Sequence, residues 1–124
     1  MKVSEAISLV DKLKVNQYSE TMKIGWLSKL DGQIFKEIFL THEGNTIETF
    51  DGYDETSQEQ ELLVPYPYDE DVYNYFLQAQ IDKENGETAR YNQSITLYNN
   101  AFLAFQNWYN RTHMPISKGT RFVF

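Results

Sequence analysis

Cysteine is absent from the 124-residue chain, which excludes disulfide scaffolds, thiolate zinc sites, iron–sulfur clusters and cysteine nucleophiles. Glycine is sparse, six residues scattered along the chain, so no Gly-rich loop is available to cradle a phosphate. Apolar runs extend only a few residues, and none is long enough to span a bilayer. The opening Met1-Lys2-Val3-Ser4-Glu5 has no apolar h-region, so no secretory signal is expected. Histidine is limited to His42 and His113. Lys and Arg are missing altogether from residues 37–82, and Asp and Glu from everything after Glu87.

What is present describes one domain. Apolar residues make up 41% and charged residues 23%, and a chain of this size can bury roughly two-thirds of its unfolded surface, enough for a single core. The net charge of −7 argues against a generic binder of nucleic acid or anionic membrane, which would normally be basic. That charge is unevenly spread. Residues 37–82 hold twelve acids (Glu37, Glu43, Glu48, Asp51, Asp54, Glu55, Glu59, Glu61, Asp69, Glu70, Asp71 and Asp82) and no base, which leaves six acids with all eleven bases elsewhere, a balance of +5. The split reads either as an acidic solvated loop that happens to lie mid-chain or as a head-to-tail contact, one copy's basic end against its neighbour's acidic segment.

Periodicity predicts four helices. The first, Ser4 to Leu13, places Ile7 and Val10 on one face with Ser4 as N-cap. Ser19 caps a second that ends near Thr41, where Leu27, Leu30, Ile34 and Ile38 form a core stripe widened by Trp26, Phe35 and Phe39. Gly25 and Gly32 within it suggest close backbone packing. Residues 42–68 change character: turn formers separate Thr46–Phe50 from Glu61–Val64, predicting a β-hairpin or an extended excursion. Pro65-Tyr66-Pro67-Tyr68 is extended. Asp69 is the expected N-cap of the third helix, which Asn85-Gly86 ends. The fourth, from residue 87 or 88 to Arg111, carries Tyr91, Ile95, Tyr98, Phe102, Phe105 and Tyr109 in a 4-3-4-3-4 rhythm. A basic tail follows, ending Phe122-Val123-Phe124, which reads as an added strand or an anchor on another surface.

Little in the chain resembles catalytic chemistry. His42-Glu43 lacks the second histidine of a zinc-protease helix, and His113 beside Pro115 suits capping or aromatic packing. Asp51-Gly52-Tyr53-Asp54-Glu55 lacks the alternating register of a calcium loop. Acid pairs abound, as in any acidic chain, and none is singled out as a glycosidase pair. Stacking of tyrosines on single-stranded nucleic acid would need a basic groove, whereas Tyr66, Tyr68, Tyr73 and Tyr75 lie in the acidic region. The excess of aromatics, nine Tyr and eight Phe, fits a core shared with protein–protein surface.

One resemblance covers nearly the whole chain. Val3-Ser4-Glu5-Ala6-Ile7 with Val10-Asp11 and Leu13-Lys14 leads into Tyr18-Ser19-Glu20, Lys23, Trp26-Leu27-Ser28 and Leu30-Asp31-Gly32. Later come Glu61-Leu62-Leu63-Val64-Pro65-Tyr66-Pro67-Tyr68-Asp69-Glu70 and Asn107-Trp108-Tyr109-Asn110-Arg111-Thr112-His113-Met114-Pro115. Together these resemble the small head–tail connector (adaptor) proteins encoded in the structural gene cluster of tailed bacteriophages and Gram-positive prophages. The resemblance implies a helical domain, often with a β-hairpin excursion, that forms a ring beneath the portal and joins capsid to tail. Its implied partners are copies of itself, the portal protein and tail-side proteins. DNA would pass through the lumen without sequence-specific binding, since an acidic lumen does not neutralise phosphates. It implies no catalytic residue, cofactor, metal or membrane, and a location in the virion, or in the host cytoplasm during assembly.

The expectation is therefore a mainly α single domain over residues 1–124: four or five helices, an excursion over 42–68, and a tail over 112–124 with a short strand. Expected assembly contacts are Phe50, Tyr53, Leu62, Leu63, Tyr66, Tyr68, Arg111, Lys118, Arg121, Phe122 and Phe124. Two rival readings are a cytosolic prophage accessory or regulatory protein that binds another protein, and a small hydrolase, which would need a pocket holding a carboxylate of raised pKa.

Overall fold

The four periodic stretches form four helices: α1 (Val3–Leu13), α2 (Glu20–Ile34), α3 (Asp69–Asn85) and α4 (Thr88–Thr112). The computed structural model describes residues 1–116. The fold is mainly α, a small helical bundle in which α1 and α2 pack against α3 and α4 lies along α3. Val3, Ala6, Ile7 and Val10 from α1 meet Ile24, Leu27, Leu30 and Ile34 from α2, with Val72, Tyr73, Leu77 and Ile81 of α3 closing the core.

α2 begins as its sequence requires. The Ser19 hydroxyl accepts the Met22 N–H at 3.1 Å, filling one orphan donor of the first turn. At its far end α2 widens into a single π-helical turn, Phe35–Phe39, in which the Leu40 N–H reaches the Phe35 carbonyl at 3.0 Å. Phe35, Ile38 and Phe39 are all buried there. Phe35 packs on Phe50 and Phe39 on Tyr109, so this helix end faces two apolar surroundings.

Two helix starts differ from expectation. α1 begins at Val3, not after Ser4, because the excursion supplies the acceptors: the Val3 and Ser4 N–H groups donate to the Gln60 and Gln58 carbonyls, both at 3.0 Å. Backbone thus does what a capping side chain would do. α3 begins at Asp69 itself, with Tyr68 before it. Asp69 Oδ1 accepts the Glu70 N–H at 2.8 Å while Oδ2 faces the Met1 amine at 3.1 Å. α3 ends as read, at Gly86 with φ +73°.

The β-hairpin does not form; residues 42–68 are an irregular excursion with one short 3₁₀ turn at Glu55–Ser57. Pro65–Tyr68 is not extended as expected but closes a turn, in which the Tyr68 N–H donates to the Pro65 carbonyl at 3.0 Å. Thr46–Phe50 and Glu61–Val64 do not pair with each other. Glu61 instead bridges Lys2 in antiparallel fashion, and the Leu62 N–H donates to the Met1 carbonyl at 2.8 Å. The expected C-terminal strand lies in residues 117–124, outside the described residues. Ahead of it, Pro115 forms a single bridge with His42, flanked by Glu43 N–H to Met114 O at 2.7 Å and Ile116 N–H to Thr41 O at 2.8 Å.

Gly25 and Gly32 do not mark close backbone packing. A methyl group at Gly25 would meet nothing within 4 Å, and one at Gly32 would make ordinary contact, 3.8 Å from the Phe50 ring. Gly86→Ala, forced into a left-handed conformation, is expected to lose about 1 kcal/mol. Gly25→Ala, free in mid-helix, is expected to gain about 0.5–1 kcal/mol. Urea unfolding of the two variants checks the opposite signs.

Candidate functional site

Sequence position alone would make the excursion a solvated loop; one carboxylate makes it part of the core. Asp31 lies on α2 between Leu27 and Ile34 and is fully buried. Its Oδ2 accepts the Tyr53 hydroxyl at 2.5 Å and the Leu63 N–H at 3.0 Å. Its Oδ1 accepts the Tyr73 hydroxyl at 2.6 Å, and that hydroxyl in turn accepts the Val64 N–H at 2.8 Å. One side chain therefore ties α2, α3 and two points of the excursion. Burial pushes the Asp31 carboxyl up to about 6, against the opposing pull of the two hydroxyls and the Leu63 amide. Burial and the Asp31 charge together raise the tyrosine hydroxyls of Tyr53 and Tyr73 far out of their ordinary range, and that of Tyr98 to about 12.

Local packing extends the clamp. The Tyr53 N–H donates to Ser28 Oγ at 3.0 Å. Gly52, at φ +89°, sits so close that an added Cβ would come within 2.7 Å of the same oxygen, so only glycine fits this approach. Phe50 packs on Phe35 at 6.1 Å and edge-on to Tyr53 at 5.1 Å between ring centres.

The expected contact residues separate into three groups. Tyr53 and Leu62 are buried within the protomer, and Phe50 and Leu63 pack against its core. Tyr68 is half-buried, its ring 5.5 Å from Trp108. Tyr66 and Arg111 face solvent, and Tyr66 is 87% exposed between two prolines, with the Tyr66–Pro67 bond cis. Lys118, Arg121, Phe122 and Phe124 lie outside the described residues.

A second buried carboxylate, Asp82, joins three helices: Lys14 Nζ donates to Oδ1 and Ser94 Oγ to Oδ2, both at 2.7 Å. Near the C-terminal end of α4, Tyr109 is sandwiched between Phe39, 5.2 Å away, and His113, 3.9 Å away and nearly parallel. His113 thus has the aromatic-packing role its position suggests. Ten of the twelve mid-chain acids are solvent-exposed; only Asp69 and Asp82 are buried.

A groove of about 370 Å³ runs between α2 and α3, lined by Trp26, Lys29, Leu30 and Gln33 on one side and Phe76, Gln80, Lys83 and Glu84 on the other. Neither Lys29 nor Lys83 makes an ion pair among the described residues. Sequence reading missed both this groove and the clamp. An acid on the apolar stripe of α2 was the available signal for Asp31; the groove had none, because its lysines lie 54 positions apart in sequence. No family model, curated protein or solved structure matches the chain.

Tyr73→Phe leaves Asp31 Oδ1 and the Val64 N–H without partners and is expected to cost about 1–3 kcal/mol in urea unfolding. The folded Asp31 holds its proton up to about 6 against an ordinary 3.8. Its contribution to stability is therefore complete below 3.8 and lost as the pH rises through about 6. Relative to Asp31→Asn, the wild-type protein is expected to gain on acidification across that window, by about 1.4 kcal/mol for each pH unit crossed. Parallel stability curves for the two proteins would contradict this.

Proposed function

We propose that the chain is a non-enzymatic structural protein of a tailed-phage or prophage particle, a head–tail connector (adaptor) that forms a ring beneath the portal and joins capsid to tail. The observation that carries the reading is the division of charge: residues 37–82 carry −12 and the rest +5, with ten of those acids displayed on the surface. A ring of identical subunits needs one patch to meet a different patch on the next copy, and oppositely charged patches fix that register. The acids left over would line a lumen that DNA can pass without adhering, because binding DNA requires cations to neutralise its phosphates.

The state of Asp31 supports a non-catalytic reading. Burial raises its pKa, but the carboxyl is fully buried and both its oxygens are bonded to the protein's own donors. It lines neither the groove between α2 and α3 nor the clefts beside α1, Gly86 and Leu97. The clamp works as a structural device. It holds a segment with little regular structure in one shape, which a surface meant for repeated docking requires.

Disruption of the gene in its host, followed by induction and electron microscopy, tests the assignment. DNA-filled heads without attached tails are expected; normal particles would favour an accessory protein acting in the host cytoplasm. Deleting Lys118–Phe124 is expected to leave helical circular dichroism and the unfolding midpoint unchanged while impairing incorporation into particles. A truncated chain that unfolds would place the tail in the core.

A further inference from the structure

We infer that the groove between α2 and α3 receives the Tyr66 turn of a second copy of this chain, with Lys29 and Lys83 facing that copy's Glu70 and Asp71. The inference rests on the reading that the chain assembles with itself, and it names the two patches that meet.

The groove is suited to an aromatic residue flanked by acids. Trp26 and Phe76 stand on its two walls, with Gln33 and Gln80 beside them and Leu30 buried beneath. Lys29 and Lys83 are both exposed and free of ion pairs among the described residues, and Glu84 is the one acid of the lining.

The Tyr66 turn is the complementary part. Tyr66 is 87% exposed, the largest aromatic exposure in the described chain, and Pro65 and Pro67 restrict its backbone on both sides. A tyrosine held this way presents a large amphipathic anchor at small entropic cost, the kind of residue that dominates interface energetics. Glu70 and Asp71, one turn further on, are exposed and make no ion pair among the described residues.

Placement on α3 sets the geometry. The Tyr66 turn immediately precedes α3, whereas Lys83 sits near its C-terminal end. At 1.5 Å per residue, Asp69 and Lys83 are roughly 21 Å apart along the axis. One copy cannot close this contact on itself. A patch at one end of a helix that meets a different patch at the other end propagates head to tail, producing a closed ring or a filament.

Sedimentation of the full chain over a range of concentrations, with circular dichroism to confirm folding, tests the contact through charge reversal. Wild-type protein is expected to self-associate, more weakly as salt is raised. Tyr66→Ser, the pair Lys29→Glu with Lys83→Glu, and the pair Glu70→Lys with Asp71→Lys are each expected to weaken association by about tenfold or more. The two charge-reversed proteins bring like charges together when alone, but mixing them is expected to restore association, since each then offers the opposite charge to the other. Leu97→Glu, on the outer face of α4, is expected to change nothing. Association unaffected by the groove and turn variants, or abolished by Leu97→Glu, would overturn this contact while leaving self-assembly intact. A wild-type chain that stays monomeric throughout would overturn the contact and the self-assembly it rests on together.

Discussion

Everything distinctive in this fold depends on where one buried carboxylate finds its hydrogen bonds. Asp31 occupies a position on α2 that its neighbours make apolar, and a charge there is costly unless donors surround it. No Lys or Arg supplies them. Two tyrosine hydroxyls and a backbone amide do, and two of those three donors, Tyr53 and Leu63, belong to the excursion. Satisfying Asp31 therefore obliges the excursion to fold down over α2 and α3.

Once held, the excursion serves the rest of the molecule. Its carbonyls at Gln58 and Gln60 take up the first amides of α1, so a helix whose N-cap, Lys2, has no side-chain acceptor still starts cleanly. Its apolar residues complete the core, and its acids are left outside. Asp82 performs a related task at the other end of α3, where Lys14 and Ser94 meet on it. The bundle thus has polar ties at both ends of α3 and an apolar centre between them. Its outer surface concentrates negative charge in one segment whose shape is set from within. That arrangement is the one the proposed docking against identical neighbours requires.

Much of the helical layout was readable from residue spacing. The stripes of α2 and α4, the Ser19 cap and the Gly86 stop all rest on interactions within a few residues, which local pattern captures. The excursion was not readable in the same way. Thr46–Phe50 and Glu61–Val64 have the composition of paired strands, yet the partners that win are Asp31, 32 positions before Leu63, and Met1, 61 positions before Leu62. Tyr53, Leu62 and Leu63 look like surface residues in their acidic surroundings. Their packing inside the protomer follows from a side chain on another helix. Tyr66 and the charge division were visible in sequence, but the groove between α2 and α3 required the helices to be brought side by side.

Native-state hydrogen exchange at the Leu63 and Val64 amides tests the clamp most directly. Both lie in a segment without regular secondary structure, and both donate to the Asp31–Tyr73 unit. The account predicts exchange nearly as slow as in the core of α3, lost for both amides in Tyr73→Phe. Exchange at the rate of an open loop in the wild-type protein would contradict it.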